Sequence, residues 1–174
     1  MNKQDVVAVV LGGPSSEAEV SRRTGGAIAE ALRENGYNAV EVELVPEKLV
    51  EQLREIDAKV VFNAVHGMYG EDGRLQSILE AIKMPYTGSG VLASAVAMDK
   101  VATKRFLISA NISTPKCLMY NKRFDNDMAK IEKEIIATFG VPVVIKAADQ
   151  GSSIGVEIVK EEAYVAAALE SLGM

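Results

Sequence analysis

The chain has 174 residues, 48% hydrophobic and 25% charged, a composition that suits a soluble globular protein of one or two small domains. Its formal net charge of −5 and pI near 5.0 argue against nucleic acid as a partner, because no cluster of Lys and Arg offers a phosphate-backbone footprint. The single cysteine, Cys117, excludes an internal disulfide, and no Cys/His grouping has zinc spacing; no apolar run is long enough to span a bilayer, so a cytoplasmic protein without a membrane partner is expected.

Val6 to Leu11 is a continuous apolar run, the pattern of a strand buried on both faces of a parallel sheet, and Gly12 and Gly13 stop it. Ser16 and Glu19 fit a capping box for a helix that runs to Asn35, with Gly36 placed to close it. A second strand is expected over Ala39 to Leu44, a short helix over Glu47 to Ile56, and a third strand over Lys59 to Ala64. This alternation implies right-handed crossovers and a parallel sheet. A polar loop with three glycines follows, from Val65 to Gly73, before a helix from Leu75 to Ile82. Ligands of open α/β sheets bind beyond the carboxyl ends of the strands, where both this loop and the Gly12 to Ser16 turn fall. Pro85 to Thr87 reads as a short fourth strand, and Val91 to Ala110 as one or two helices.

The first unit is expected to end near Met98. Beyond it, Thr114 to Tyr120 reads as a strand, Asp125 to Phe139 as a charged helix, Val143 to Ile145 and Val156 to Val159 as a β-hairpin, and Lys160 to Leu172 as an amphipathic helix. With roughly 75 residues, this second unit would have a thin core by itself.

Several side chains admit both a structural and a chemical reading. The hairpin tip holds Gly151, Ser152, Ser153 and Gly155, which suits either an ordinary surface turn or a loop whose N–H and hydroxyl groups bind phosphate. Glu17 could gain from the dipole of the first helix or accept hydrogen bonds from a ligand's ammonium, whereas Glu19 is accounted for by the capping box. His66, the only histidine, is either a structural hydrogen-bonder or a ligand-facing group. Asp72 with Gly73 reads as a turn, and Asp99 as a helix cap that would leave Lys100 a solvated charge. Lys146, directly after Val-Val-Ile, is expected at the edge of a core and in need of a counter-charge that a bound phosphate would supply. No Gly-Lys pair exists for a Walker loop, and Gly88 to Ala93 matches the dinucleotide pattern without the acid expected about 20 residues later.

Four stretches taken together, 11–21 (Leu-Gly-Gly-Pro-Ser-Ser-Glu-Ala-Glu-Val-Ser), 66–73 (His-Gly-Met-Tyr-Gly-Glu-Asp-Gly), 86–100 (Tyr-Thr-Gly-Ser-Gly through Met-Asp-Lys) and 150–156 (Gln-Gly-Ser-Ser-Ile-Gly-Val), resemble the D-alanine–D-alanine ligases of the ATP-grasp superfamily in motif and order. The resemblance implies an α/β fold: a Rossmann-like, parallel-sheet N-terminal (pre-ATP-grasp) substrate domain over 1–98, then an incomplete α+β ATP-grasp subdomain over 99–174. In such enzymes ATP phosphorylates the carboxylate of one D-alanine, and the amine of a second attacks the acyl phosphate to give the dipeptide used in peptidoglycan.

Carried over by position, Glu17 would hold the first ammonium and His66 would lie near the same D-alanine. Lys100 and Lys146 would neutralise ATP phosphates, Gly151, Ser152 and Ser153 would cover them, and Ser152 would hydrogen-bond to Glu17. The resemblance also allows a homodimer. Ala147, Gln150 and Pro14 depart from the family's usual residues. The family's adenine-binding segment and acidic magnesium ligands lie beyond the position matching Met174, so Mg2+ is expected only for the complete enzyme and this chain alone is expected to be inactive. The alternatives are a non-catalytic binding module of the same fold, or a parent ligase that forms a D-alanyl ester.

Overall fold

The computed structural model describes residues 2–151 and 155–173. It divides into two units, Met1–Met98 and Asp99–Met174.

The first unit is organised by β1 (Val6–Leu11), the middle strand of a parallel sheet in the order β2-β1-β3, with β2 at Asn38–Glu43 and β3 at Ala58–Asn63. Successive side chains of a strand point to opposite faces. Ala8 and Val10 accordingly join Leu49, Leu53, Leu75 and Leu79 of α2 (Leu49–Glu55) and α3 (Arg74–Ala81), whereas Val7, Val9 and Leu11 pack with Ala29 and Ile28 of α1 (Ala18–Glu34). Two covered faces explain why β1 reads as an unbroken apolar run. The C-terminus of α1 closes with the N–H of Gly36 on the Arg33 carbonyl and that of Tyr37 on the Leu32 carbonyl, a Schellman pair for which Gly36 supplies φ of 80°.

Two expectations for this unit fail. Pro85 to Thr87 is no strand: Tyr86 makes a single parallel bridge to Val61, because the extended piece lies between positive-φ residues Lys83 and Gly88 and Pro85 has no N–H to donate. The Ser16–Glu19 capping box does not form. Glu17 occupies the N-cap position without a side-chain capping bond, Ser15 rather than Ser16 accepts from the turn, and Glu19 lies 3.6 Å from Arg22 on the surface.

In the second unit β4 (Val143–Lys146) pairs antiparallel with β5 (Val156–Val159), the expected hairpin. Its inner face packs Val143, Ile145 and Val159 against Ile131 and Ile135 of α6 (Met128–Phe139) and Val165 and Leu169 of α7 (Val165–Ser171). Thr114 to Tyr120 has no ladder partner among the described residues and is not a strand. Lys104 holds the Pro115 carbonyl and the Thr114 hydroxyl instead, while Leu118 and Tyr120 still reach the core. The last helix also begins later than expected, after a 3₁₀ turn at Glu162–Tyr164 that leaves Ala163 exposed. Two further helices, α4 (Val91–Met98) and α5 (Lys100–Ser109), flank Asp99, whose carboxylate caps α5 through the N–H groups of Val101 and Ala102.

Candidate functional site

Beyond the carboxyl ends of β1 and β3 two segments adjoin: the turn from Gly12 into α1, and the loop from Ala64 to Gly73. Ser15 Oγ accepts the Glu17 N–H at 3.1 Å, and the Ser15 carbonyl accepts that of Ala18 at 3.1 Å, which sets the entry of α1. Glu17 is half-buried, and its carboxylate lies against Gly67 of the second segment. A β-carbon on Gly67 would stand 2.6 Å from Glu17 Oε2 and 2.8 Å from Ser15 Oγ. Gly67 also adopts φ of 67°, so a side chain there would cost backbone strain and would push the Glu17 and Ser15 side chains aside.

The neighbouring His66 has a side chain 33% exposed, with Nδ1 3.9 Å from Glu71 Oε1. That is too long for a hydrogen bond, so the imidazole is not locked to its nearest acid. Asp72 accepts the N–H groups of Tyr69 and Arg74, the turn role expected of it. The loop is anchored at Gly70, whose carbonyl accepts from both Asn63 Nδ2 at 2.8 Å and Gln76 Nε2 at 2.7 Å.

The turn is anchored from the other side. Glu43 at the end of β2 accepts the Gly13 N–H and both donors of an Arg22 fork, at 3.1 and 2.7 Å. The Arg22 hydrogen bonds hold the Glu43 carboxyl below its ordinary value, against partial desolvation, and the Gly13 N–H adds to them. Ser21, fully buried on α1, accepts the Gly12 N–H at 2.8 Å and donates to the Ala64 carbonyl at 2.7 Å. None of these anchors was among the residues singled out from the sequence. One signal was there to find: Ser21, Gly25 and Ala29 recur every four residues as the small, buried line of α1.

The second unit carries the remaining candidates. Lys100 donates from its backbone to the Ala148 carbonyl and from Nζ to the Gln150 carbonyl, so the start of α5 holds the chain leaving β4. It is therefore half-buried and engaged rather than a freely solvated charge. Lys146 ends β4 on its exposed side, and the burial that would have demanded a counter-charge is absent. Gly155 is brought back by the bond from Ala147 N–H to its carbonyl, and Gly151 lies half-buried between. Ser152 and Ser153, and with them the expected contact to Glu17, fall outside the described residues. Among the described residues no group of three His, Cys, Asp or Glu side chains could hold a metal ion, and no helix is long and apolar enough to cross a membrane.

Two family profiles match the chain, one described as the D-ala D-ala ligase N-terminus over residues 40–89 and one as the D-ala D-ala ligase C-terminus over residues 106–174. A D-alanine–D-alanine ligase of Moorella thermoacetica is 48% identical over 157 residues, 90% of this chain and 50% of the relative. The D-alanine–D-alanine ligase of Bacillus anthracis aligns in structure with a TM-score of 0.83 at 35% identity, over 97% of this chain and 53% of the other. The same enzyme complexed with ATP gives 0.81 at 33% identity, over 97% and 54%. The chain spans about half the length of the curated relatives it matches.

Proposed function

Since the chain belongs to the D-alanine–D-alanine ligase family as an N-terminal portion of it, we propose that the protein carrying it joins two D-alanines at the cost of ATP, in the cytoplasm, for peptidoglycan synthesis. The γ-phosphoryl group passes to the carboxylate of the first D-alanine, giving ADP and a D-alanyl phosphate. The amine of the second D-alanine then attacks the acyl carbon, the C–O bond to phosphate breaks, and the nitrogen loses its proton as the peptide bond forms.

In this reading the unit 1–98 is the substrate domain and 99–174 the first part of the ATP-grasp domain. The Glu17 carboxylate accepts hydrogen bonds from the first ammonium, with His66 beside the same amino acid. Lys100 and Lys146 neutralise phosphate oxygens, and Gly151, Ser152 and Ser153 belong to the loop over them. The two ammonium groups fit a polyphosphate, and positioning with charge neutralisation is most of what phosphoryl transfer asks of a protein. Magnesium accompanies ATP in the complete enzyme, but the described residues offer no donor set that fits it.

The observation that carries the reading is the Glu17 carboxylate facing the Gly67 loop at the strand ends, uncommitted to capping its own helix. The test is kinetic, in the full-length ligase whose N-terminal portion is this chain. Wild type should release ADP only when D-alanine is present. Glu17→Ala should raise KM for the first D-alanine by roughly 10- to 100-fold, the worth of a hydrogen bond to a charged group, and leave KM for ATP nearly unchanged. Equal loss for both substrates would overturn the assignment of Glu17.

A further inference from the structure

We infer that Ser21 is a positioning residue for the first amino-acid substrate: its single hydroxyl locks the segment bearing Glu17 to the segment bearing His66 and Gly67. The inference rests on the reading above, in which Glu17 holds the substrate's ammonium.

Three bonds converge on this one residue. Its backbone N–H donates to the Glu17 carbonyl at 3.0 Å, so Ser21 sits one helical turn below Glu17 and fixes the peptide that carries the carboxylate. Its Oγ accepts the Gly12 N–H, the first backbone donor beyond β1, at 2.8 Å. The same Oγ donates its proton to the carbonyl of Ala64, the first residue beyond β3, at 2.7 Å. A hydroxyl is the smallest side-chain group that can accept and donate at once, which is what bridging an N–H and a C=O requires. Ala64 in turn donates its N–H to the Val10 carbonyl at 2.9 Å, so the two strand ends are tied twice within a few ångströms of each other. His66 and Gly67 follow Ala64 by two and three residues, and Gly67 is the residue against which Glu17 packs.

Full burial gives the bridge its force. Ser21 is 0% exposed, so water cannot replace the hydroxyl when it is removed, and both the Gly12 N–H and the Ala64 carbonyl would be left wanting a partner. The inexpensive response of the chain is for one segment to shift towards other partners. That shift separates Glu17 from the Gly67 loop rather than unfolding the sheet, whose strands are held by their own ladders. Small displacements of this sort matter for a group that must meet an ammonium at hydrogen-bond distance.

The experiment compares Ser21→Ala and Ser21→Cys with wild type. The cysteine keeps the side-chain shape with one somewhat larger atom, and it is a weak donor and acceptor. In the full-length ligase, below the melting temperature of each variant, both substitutions should raise KM for the first D-alanine about ten-fold or more and leave KM for ATP within about two-fold. A residue that merely fills space would give a cysteine variant indistinguishable from wild type, and a residue that merely stabilises would lower the melting temperature of the alanine variant without splitting the two KM values; either result overturns the inference. Hydrogen exchange on the 174-residue chain itself gives a readout that needs no catalysis. Ser21→Ala should speed exchange at Gly12 and Gly13 together with Ala64, Val65 and Glu71 by about ten-fold or more, with the β2 amides unchanged. Acceleration confined to Gly12 would show a local bond and overturn the tie. A wild-type enzyme whose ADP release ignores D-alanine would overturn the functional reading, and with it the substrate named here, while the exchange result would still judge the tie between the segments.

Discussion

Replacing Gly67 by alanine is the most direct way to ask whether Glu17 works from the place the fold assigns it. The added β-carbon would stand 2.6 Å from Glu17 Oε2, whereas an ordinary carbon–oxygen contact lies at about 3.3 Å or more, so the carboxylate must retreat by roughly 0.7 Å. Ser15 Oγ, at 2.8 Å, must retreat as well, and it accepts the N–H of Glu17. Alanine at φ of 67° also costs about 1–2 kcal/mol in backbone strain. The strain should lower the melting temperature of the unit by several degrees, and under the proposed reading the displacement of the carboxylate is what reaches the chemistry. A misplacement near 1 Å can cost on the order of 100-fold, so kcat/KM for the first D-alanine should fall roughly 10- to 100-fold with KM for ATP unaffected. D-alanine-dependent ADP release by the full-length ligase, assayed well below the melting temperature, measures both. The double variant Gly67→Ala with Glu17→Ala should be little worse than Glu17→Ala alone, because the first change acts through the second residue. Full additivity, or an equal loss towards ATP, would refute the mechanism.

Three further outcomes follow from the geometry. Gly25→Ala would push a β-carbon to 2.6 Å from Leu11 Cβ and should destabilise the chain by about 1–3 kcal/mol, whereas Gly26→Ala meets nothing within 4 Å and should stabilise it by about 0.5–1 kcal/mol; urea unfolding that moves both in one direction would be decisive against this packing of α1 on β1. Because Arg22 holds the Glu43 carboxyl below its ordinary value of 4.5, the stability it contributes is present above that value and is lost as pH falls through the lower folded one; Arg22→Met should flatten that acid limb of the urea midpoint. Burial, aided by the Glu134 carboxylate, pushes the Tyr120 phenol up to about 12, so its contribution persists below the ordinary value of 10.0 and is lost as pH rises towards 12; Tyr120→Phe should remove a phenolate component near 12 from the ultraviolet titration and blunt the alkaline loss of stability.

The parts of the fold that could be read in advance are those that local chemistry determines. Val6 to Leu11 announced a strand covered on both faces, Gly36 a left-handed helix end, Asp99 a cap, and Val143 to Val159 a hairpin, and each forms as its residues dictate. The failures have different causes. Thr114 to Tyr120 has strand-like residues but no ladder partner among the described residues, and partners are not encoded locally, whereas Pro85 to Thr87 does meet β3 and is cut to one bridge by its own proline and the positive-φ residues on either side. Lys146 was expected at a buried edge because it follows three apolar residues, yet alternation in a strand with one covered face puts it on the open side, in step with Val144. At the candidate site the turn and the glycine loop lie at the strand ends where parallel topology puts them. Asn63 and Gln76 could not be found in the same way, since each acts on backbone atoms that only the folded chain brings near, and for Ser21 the four-residue spacing with Gly25 and Ala29 signals burial on α1 but not the bonds its hydroxyl makes.

Glu17 is set apart from Glu19 by its contacts rather than by helix capping. In the sequence, a capping box with Ser16 accounts for Glu19 and leaves Glu17 either to the dipole of the first helix or to a ligand's ammonium. That box does not form, so the elimination has no premise: Glu19 turns to Arg22 at the surface, and Glu17 itself takes the N-cap position. What now distinguishes Glu17 is contact. An N-cap acid that bonded back to its own helix would have its oxygens occupied by backbone N–H groups. This one makes no such bond and instead fills the space beside Gly67 that any other residue at that position would need. A β-carbon at residue 67 would force the carboxylate at residue 17 out of its present place, so under the proposed reading the spacing between the two segments is the quantity that recognition of the first amino acid would depend on.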